Sequence, residues 1–482
     1  MSDEIKNVSS APTTELQGNI GTFSLIMSVV AFSAPLMTVC GVCPLMLAYG
    51  GNSAPVTYFI CMIVLILFSI GFVKMGLYMQ NPGGFYAYIS AGLGREPGLG
   101  AAFLAVIGYF FAGFVGPCYF PMVLTNYIRN LGGPDIPWWI IGIIYMLLII
   151  FLDYRKVDLS ARVLTVVMFA ECIVVIVFDI VSFIQHPGAV NGGIGLSLPN
   201  ITDPASQFGV SMNFIFGTFF GFEGTIIYRE EVRNPNKTLP RACILTVLFI
   251  GIFYGLSTWA FVAFYGADAV QSIAAGNIDT LFETSMVALF GRIVMDVITI
   301  MVLFSMFAST LSVVNISSRY LYSLGKDGVL PGFLGSVHQK HASPYAAVLV
   351  VGSIYTAAVI LLGVFGLEPL TVYPRVSGIG TFCIMLLICI AAVSIVAYFR
   401  RNPLEERCIF STLIAPIIGI IGVCTCTYFA LANYGNLIGG GIRLSAIFLI
   451  LTVAAFIFGL IYAFHLKKNR PEIYLNIGRQ RM

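Results

Sequence analysis

Charge is what this sequence has least of. Lys, Arg, Asp and Glu make up 10% of its 482 residues, where a soluble chain carries about 25%. Hydrophobic residues make up 58%, and the mean hydropathy is +0.93. These values exclude a soluble globular fold and point to a polytopic membrane protein whose solvent is the lipid bilayer. Other absences narrow the function. The net charge is only +3 and no basic stripe is present, so no nucleic-acid partner is expected. The first twenty residues contain no apolar run, so the first hydrophobic span is expected to insert and remain rather than act as a cleaved leader. The four histidines, His186, His338, His341 and His465, lie in connections or the tail. No His-x-x-Glu-His, paired aspartates or Gly-rich nucleotide loop accompanies them, so neither an enzyme nor a bound cofactor or metal is expected. No long polar stripe suited to a channel pore is visible. Eleven cysteines lie mostly in apolar spans, and Cys40 and Cys43 form a C-x-x-C without a second pair or a histidine partner. They read as small buried hydrophobes.

What is present is a series of apolar runs, each long enough to cross a bilayer as a helix. About twelve can be counted, at 21–48, 54–78, 98–128, 136–152, 161–184, 208–228, 242–265, 286–318, 345–365, 375–399, 409–433 and 443–465. The fold class is therefore all-α and polytopic. A cytoplasmic amino terminus puts 21 of the 25 Lys and Arg residues on the inner side; only Arg129, Arg292, Arg375 and Arg443 fall outside. Positive charge gathers on the cytoplasmic face, so both termini are expected inside, in a cell (inner) membrane. The chain divides into a tail at 1–20, a core at 21–400, two further helices at 401–465 and a second tail at 466–482.

Two of these spans are interrupted. Span 1 reads FSAPLMTVCGVCPLML, with Pro35, Gly41 and Pro44 as breakers, and span 6 reads FFGFEGT, with Gly221 and Gly224. Matched interruptions at positions 1 and 6 are the mark of two inverted five-span halves. Unwinding is expected over Ser33–Gly41 and Gly221–Gly224. In hydrocarbon an unpaired backbone group costs several kcal/mol, so broken helices survive only beside protein, water or a ligand. Free N–H groups at a half-helix start attract carboxylates, and free carbonyls at a half-helix end attract amines or cations. Carbonyls near Gly217–Phe220 are therefore expected to face a substrate amine. One of Phe216, Phe219, Phe220 and Phe222 is expected to cap it.

Six acids need sorting. Asp153, Asp179, Asp296 and Glu368 fall near span ends and are expected to be solvated. Glu171, in MFAECIVVIVF, and Glu223 lie well inside their spans. An ionised carboxylate at a helix centre costs about 2.5–3.5 kcal/mol on insertion scales, so both are candidates for carrying the coupling proton or pairing with a substrate amine. Ser309, Thr310 and Ser312 in FASTLSVVNIS are candidate sodium ligands, with hydroxyls bonded back to their own helix as the alternative.

Three motifs resemble one family, the amino acid–polyamine–organocation permeases. GFEGTIIYREEVRNPNKTLPRA is similar to the family's sixth span and following loop. NPGGFYAYISAGLG, at 81–94, resembles the loop after span 2, and SSRYLYSLGKDGVLPGFLGSVHQKHASP, at 317–344, the loop after span 8. The resemblance implies a leucine-transporter-type core of ten helices in a 5+5 inverted repeat, plus two more, working by alternating access. It also implies secondary active, proton-coupled uptake of an amino acid, polyamine or related amine. A sodium-coupled symporter or an exchanger of the same fold is the alternative. The family's Gly-Ser-Gly-Ile-Phe stretch is replaced here by FSAPLMTVCG, onto which substrate contacts map at Ser33, Ala34 and Thr38. Glu223 resembles the acid that follows the span-6 break in proton-linked relatives. Glu171 stands where some relatives carry a lysine. Gly217 falls where a relative carries a gating tryptophan, which implies a roomier pocket.

Overall fold

The computed structural model describes residues 21–79, 84–155, 161–199, 207–223, 225, 232–338, 343–402 and 408–478. The tail at 1–20, Gly224, and parts of the three motif loops (Pro82, Gly83, Arg229, Lys340 and His341 among them) lie outside the described residues. Span 1 is built from α1 (Thr22–Phe32), α2 (Pro35–Met37), a π turn (Thr38–Val42) and α3 (Cys43–Gly50). Then come α4 (Ala54–Tyr78), α5 (Gly84–Leu93), α6 (Arg95–Gly113), α7 (Val115–Asn130), α8 (Trp138–Arg155) and α9 (Ala161–Gln185). The second half holds α10 (Phe208–Thr218), α11 (Pro235–Tyr265), the short pair α12 (Val270–Gly276) and α13 (Leu281–Phe290), and α14 (Ile293–Lys326). It closes with α15 (Tyr345–Val364), α16 (Pro369–Arg401), α17 (Ala415–Ala432) and α18 (Gly441–Asn469).

Local sequence sets these boundaries. Prolines stand in the first turns of α2, α3, α4, α11, α16 and α17, where a missing N–H leaves no helix hydrogen bond unmade. Glycines with positive φ, Gly266 and Gly291, stop α11 and α13. Among the described residues, ten helices are long and apolar enough to cross a membrane. That set joins Pro35–Tyr78 across the turn at Gly51 and leaves out α10, which is apolar but short. The architecture is all-helical and polytopic, as expected.

The helices differ in how much they face lipid. In the most apolar stretch of α16, 72% is buried, against 22% in α18, so α16 runs through the centre while α18 stays at the rim. Helix α16 packs on α5, α6 and α10, and α18 lies along α6. Large apolar side chains such as Ile144, Ile173, Phe304 and Ile421 remain exposed and face the hydrocarbon. The helices after the two interruptions, α4 and α11, pack against each other. Both interrupted segments are thereby held at the centre of the bundle.

Candidate functional site

The first interruption follows from one dipeptide. A proline disfavours the helical conformation in the residue before it, and Ala34 indeed sits in the left-handed region at φ 46° and ψ 77°. For a residue with a Cβ this costs about 1–2 kcal/mol. Helix α1 therefore ends at Phe32 and the chain restarts at Pro35. Ser33 contributes its N–H to the Val30 carbonyl (3.0 Å). Its own freed carbonyl accepts from Thr38 Oγ1 at 2.7 Å and from the Tyr254 hydroxyl at 3.3 Å. Ser33 Oγ lies 2.8 Å from the same Tyr254 hydroxyl. Ser33, Ala34 and Thr38 are thus brought together, with Tyr254 of α11 as their partner.

The break is narrower than Ser33–Gly41. Gly41 lies inside the π turn and Pro44 is the second residue of α3, so the chain stays helical past both. The reason at Gly41 is packing: a Cβ there would come 2.9 Å from the Tyr119 ring. The π turn widens the helix just ahead of Pro44, which needs no N–H bond.

The buried start of α2 is already occupied. The Leu36 N–H donates to Glu171 Oε2 at 3.2 Å, and Ser305 of α14 donates to the same oxygen at 2.8 Å. Glu171 is 2% exposed, so a carboxylate from α9 pins the first break to α14.

At the second interruption α10 ends at Thr218 and gives way to tight turns, with Phe219 and Phe220 donating to the Phe216 and Gly217 carbonyls at 3.2 and 3.3 Å. Gly221 adopts φ 96°, a conformation that suits only glycine. Glu223 is 4% exposed. Its Oε2 accepts the Gly221 N–H at 3.1 Å, and its Oε1 accepts the Tyr109 hydroxyl of α6. Tyr58 of α4 hydrogen-bonds Thr218, and its ring lies 6.3 Å from that of Tyr254. The two breaks are therefore joined through a pair of buried tyrosines.

Other expectations change. Phe216, Phe219 and Phe222 are each 1% exposed. Phe219 packs on Tyr58, and Phe222 meets Phe68 and Phe72, so these serve as core and only Phe220 is half-buried. Gly217 does not open space. A Cβ there would lie 2.6 Å from Thr381 Oγ1, because α16 presses against α10 at this point. Gly217→Ala is expected to cost about 1–3 kcal/mol by overpacking. Its lowered thermal midpoint in detergent should recover in the Gly217→Ala/Thr381→Ala double variant. An unchanged midpoint in the single variant would contradict the close approach.

Asp296 and Glu368 are exposed as expected, but Asp153 and Asp179 are buried. Asp179 accepts Ser257 Oγ at 2.9 Å; nearness to a span end does not bring water when a neighbouring helix covers the position. Thr310 and Ser312 donate to the Met306 and Ala308 carbonyls of their own helix at 2.9 Å, while Ser309 is half-buried. Sequence reasoning missed Tyr109, Tyr254, Tyr58 and Ser305, and also Glu283 of α13, which is 7% exposed in what reads as an outer connection. The FETS stretch, an acid inside a short apolar helix, was the available signal for Glu283.

A bundle that crosses the membrane many times and holds a buried carboxylate at each of two interrupted helices is built as a transporter, not as an enzyme. Comparison with known proteins takes this further. The chain belongs to the amino acid permease family, whose family model matches residues 18–464. It is similar to the branched-chain amino acid permease BcaP of Lactococcus lactis subsp. cremoris, at 24% identity over 374 residues, 72% of this chain and 75% of the relative. It is similar to the low-affinity putrescine importer PlaP of Escherichia coli K12, at 21% identity over 352 residues, again 72% and 75%. It also resembles the Asc-type amino acid transporter 1 of Mus musculus, 23% identical over 376 residues, 74% of this chain and 66% of the relative.

Proposed function

We propose that this permease is a secondary active transporter that takes up an amino acid or related organic amine by alternating access, coupled to protons. In this reading the chain makes twelve crossings of the cell (inner) membrane with both termini cytoplasmic, and residues 21–400 form the inverted-repeat core. The substrate sits between the breaks, near Ser33, Ala34 and Thr38 on one side and the backbone at Phe216, Gly217, Phe219, Phe220 and Gly221 on the other. Glu223 carries the proton, and Glu171 is the second coupling candidate.

The observation that carries this reading is the position of Glu223. Its carboxylate holds the Gly221 N–H in the break and the Tyr109 hydroxyl on α6. Protonation removes the charge and turns one of these oxygens from acceptor to donor, replacing charge-assisted bonds by weaker neutral ones, and so changes how firmly the break is tied to the neighbouring helix. The named relatives supply the substrate range, a branched-chain amino acid permease and a putrescine importer among them.

Purified full-length protein in proteoliposomes provides the test. Uptake of a panel of amino acids and amines is measured with an inward proton gradient, with an inward sodium gradient and with neither. Accumulation driven by the proton gradient and abolished by a protonophore is the expected result. Accumulation driven by sodium alone would move the coupling to the alternative, with Ser309 and Thr310 as its candidate ligands. Absence of uptake for every amine would sink the transport reading.

A further inference from the structure

We infer that the transported substrate is an organic amine that carries no carboxylate, rather than a zwitterionic amino acid. This rests on the transport reading above and narrows its substrate class. Two independent observations point the same way.

The first concerns donors for a carboxylate. The start of an inner half-helix at span 1 offers backbone N–H groups that suit an anion. Here Pro35 has no N–H to give, and the next one, on Leu36, is donated to Glu171. Ser305 holds the same carboxylate oxygen from the other side. An incoming carboxylate would have to displace Glu171 or share its surroundings, and two carboxylates crowded together in low dielectric repel strongly.

The second concerns charge balance. Glu171, Asp179, Glu223 and Glu283 are all buried, and among the described residues no Lys, Arg or His is buried. The described interior thus holds acids without a buried cation beside them. Two of their oxygens, Asp179 Oδ1 and Glu283 Oε2, have no hydrogen-bond partner. The rings of Tyr119 and Tyr373 meet edge to face at 5.2 Å, and the buried Tyr119 hydroxyl also lacks a partner. Unpartnered carboxylate oxygens and aromatic faces are both groups that attract an ammonium. At the start of α2 the first N–H is missing and the second is taken, while among the described residues two buried carboxylate oxygens are left open.

Matched pairs that differ by one carboxylate test this directly. Putrescine and ornithine, cadaverine and lysine, and isobutylamine and valine share their remaining skeletons. Equilibrium binding to the purified full-length protein is measured for all six by calorimetry. The amine is expected to bind roughly tenfold or more tightly than its amino acid in at least one pair. An amino acid equal to or tighter than its amine in every responding pair would overturn the inference and leave the transporter reading intact. If none of the six binds and none is taken up, the transport reading itself fails and takes the inference with it. A second arm uses Glu171→Gln, which keeps an acceptor for Leu36 and Ser305 but removes the charge. The amine preference should shrink by roughly tenfold, and an unchanged preference would count against Glu171 as its source.

Discussion

Glu223→Gln is expected to fold and insert like the parent and to lose concentrative uptake. The hydrogen-bond inventory shows why folding should survive. Glu223 now accepts from two donors, the Gly221 N–H and the Tyr109 hydroxyl. A glutamine has one acceptor oxygen and an amide N–H2 group. Its oxygen can keep the Gly221 N–H, and its amide can donate to the Tyr109 oxygen, since a hydroxyl both donates and accepts. The stability change should stay within about 1 kcal/mol. Function should change far more. A proton moving down one pH unit supplies about 1.4 kcal/mol, enough for about tenfold accumulation. With the carrier group fixed neutral, the variant should only equilibrate substrate, to about onefold, and its uptake should no longer follow pH. Exchange of internal for external substrate should persist, which separates lost coupling from lost transport. Tyr109→Phe serves as the companion: it removes one partner and leaves the titrating group, so its uptake should remain concentrative with a displaced pH profile. A Glu223→Gln variant that accumulates substrate as the parent does would make the residue structural.

The all-helical, many-crossing architecture and the interruptions at Pro35 and Gly221 could be read from one dimension, because the bilayer imposes a length and a cost that show directly in composition. Glu171 and Glu223 stood out for the same reason. Their partners did not. Tyr109, Tyr254 and Tyr58 look like many other aromatics in a membrane chain, and only the packing of α4, α6 and α11 brings their hydroxyls to the breaks. Asp179 was misjudged because solvation was inferred from distance to a span end, whereas Ser257 on another helix covers it. Gly217 shows the same limit with the opposite sign. A missing side chain on one helix is room only if no neighbour fills it, and Thr381 does. Pro35 was legible as a breaker, but that the chain stays helical past Gly41 was not, since the glycine there makes room for the Tyr119 ring and not for a break.

Glu171→Leu is expected to abolish uptake and to lower the thermal midpoint, whereas Glu171→Gln should do only the first in part. Leucine nearly conserves volume but leaves the Leu36 N–H and the Ser305 hydroxyl without their acceptor. A buried donor left unsatisfied costs about 1–3 kcal/mol, although Ser305 can turn its hydroxyl back to its own helix. The Leu36 N–H has no such escape, since Pro35 and Ala34 fix it at the start of α2. The stability loss should therefore track Leu36 and not Ser305. Ser305→Ala alone should cost less, and in the Glu171→Leu background it should cost nearly nothing, giving a coupling energy of about 0.5–3 kcal/mol in the double-mutant cycle. Uptake separates the charge from the scaffold. Glutamine preserves both hydrogen bonds, so a fully active Glu171→Gln would assign the residue to holding α2, α9 and α14 together. A stable Glu171→Gln with reduced uptake would assign it to the substrate or the proton. The geometry favours the second outcome, because a purely structural acceptor at this position would be served as well by an amide, at a far lower cost of burial than a carboxylate.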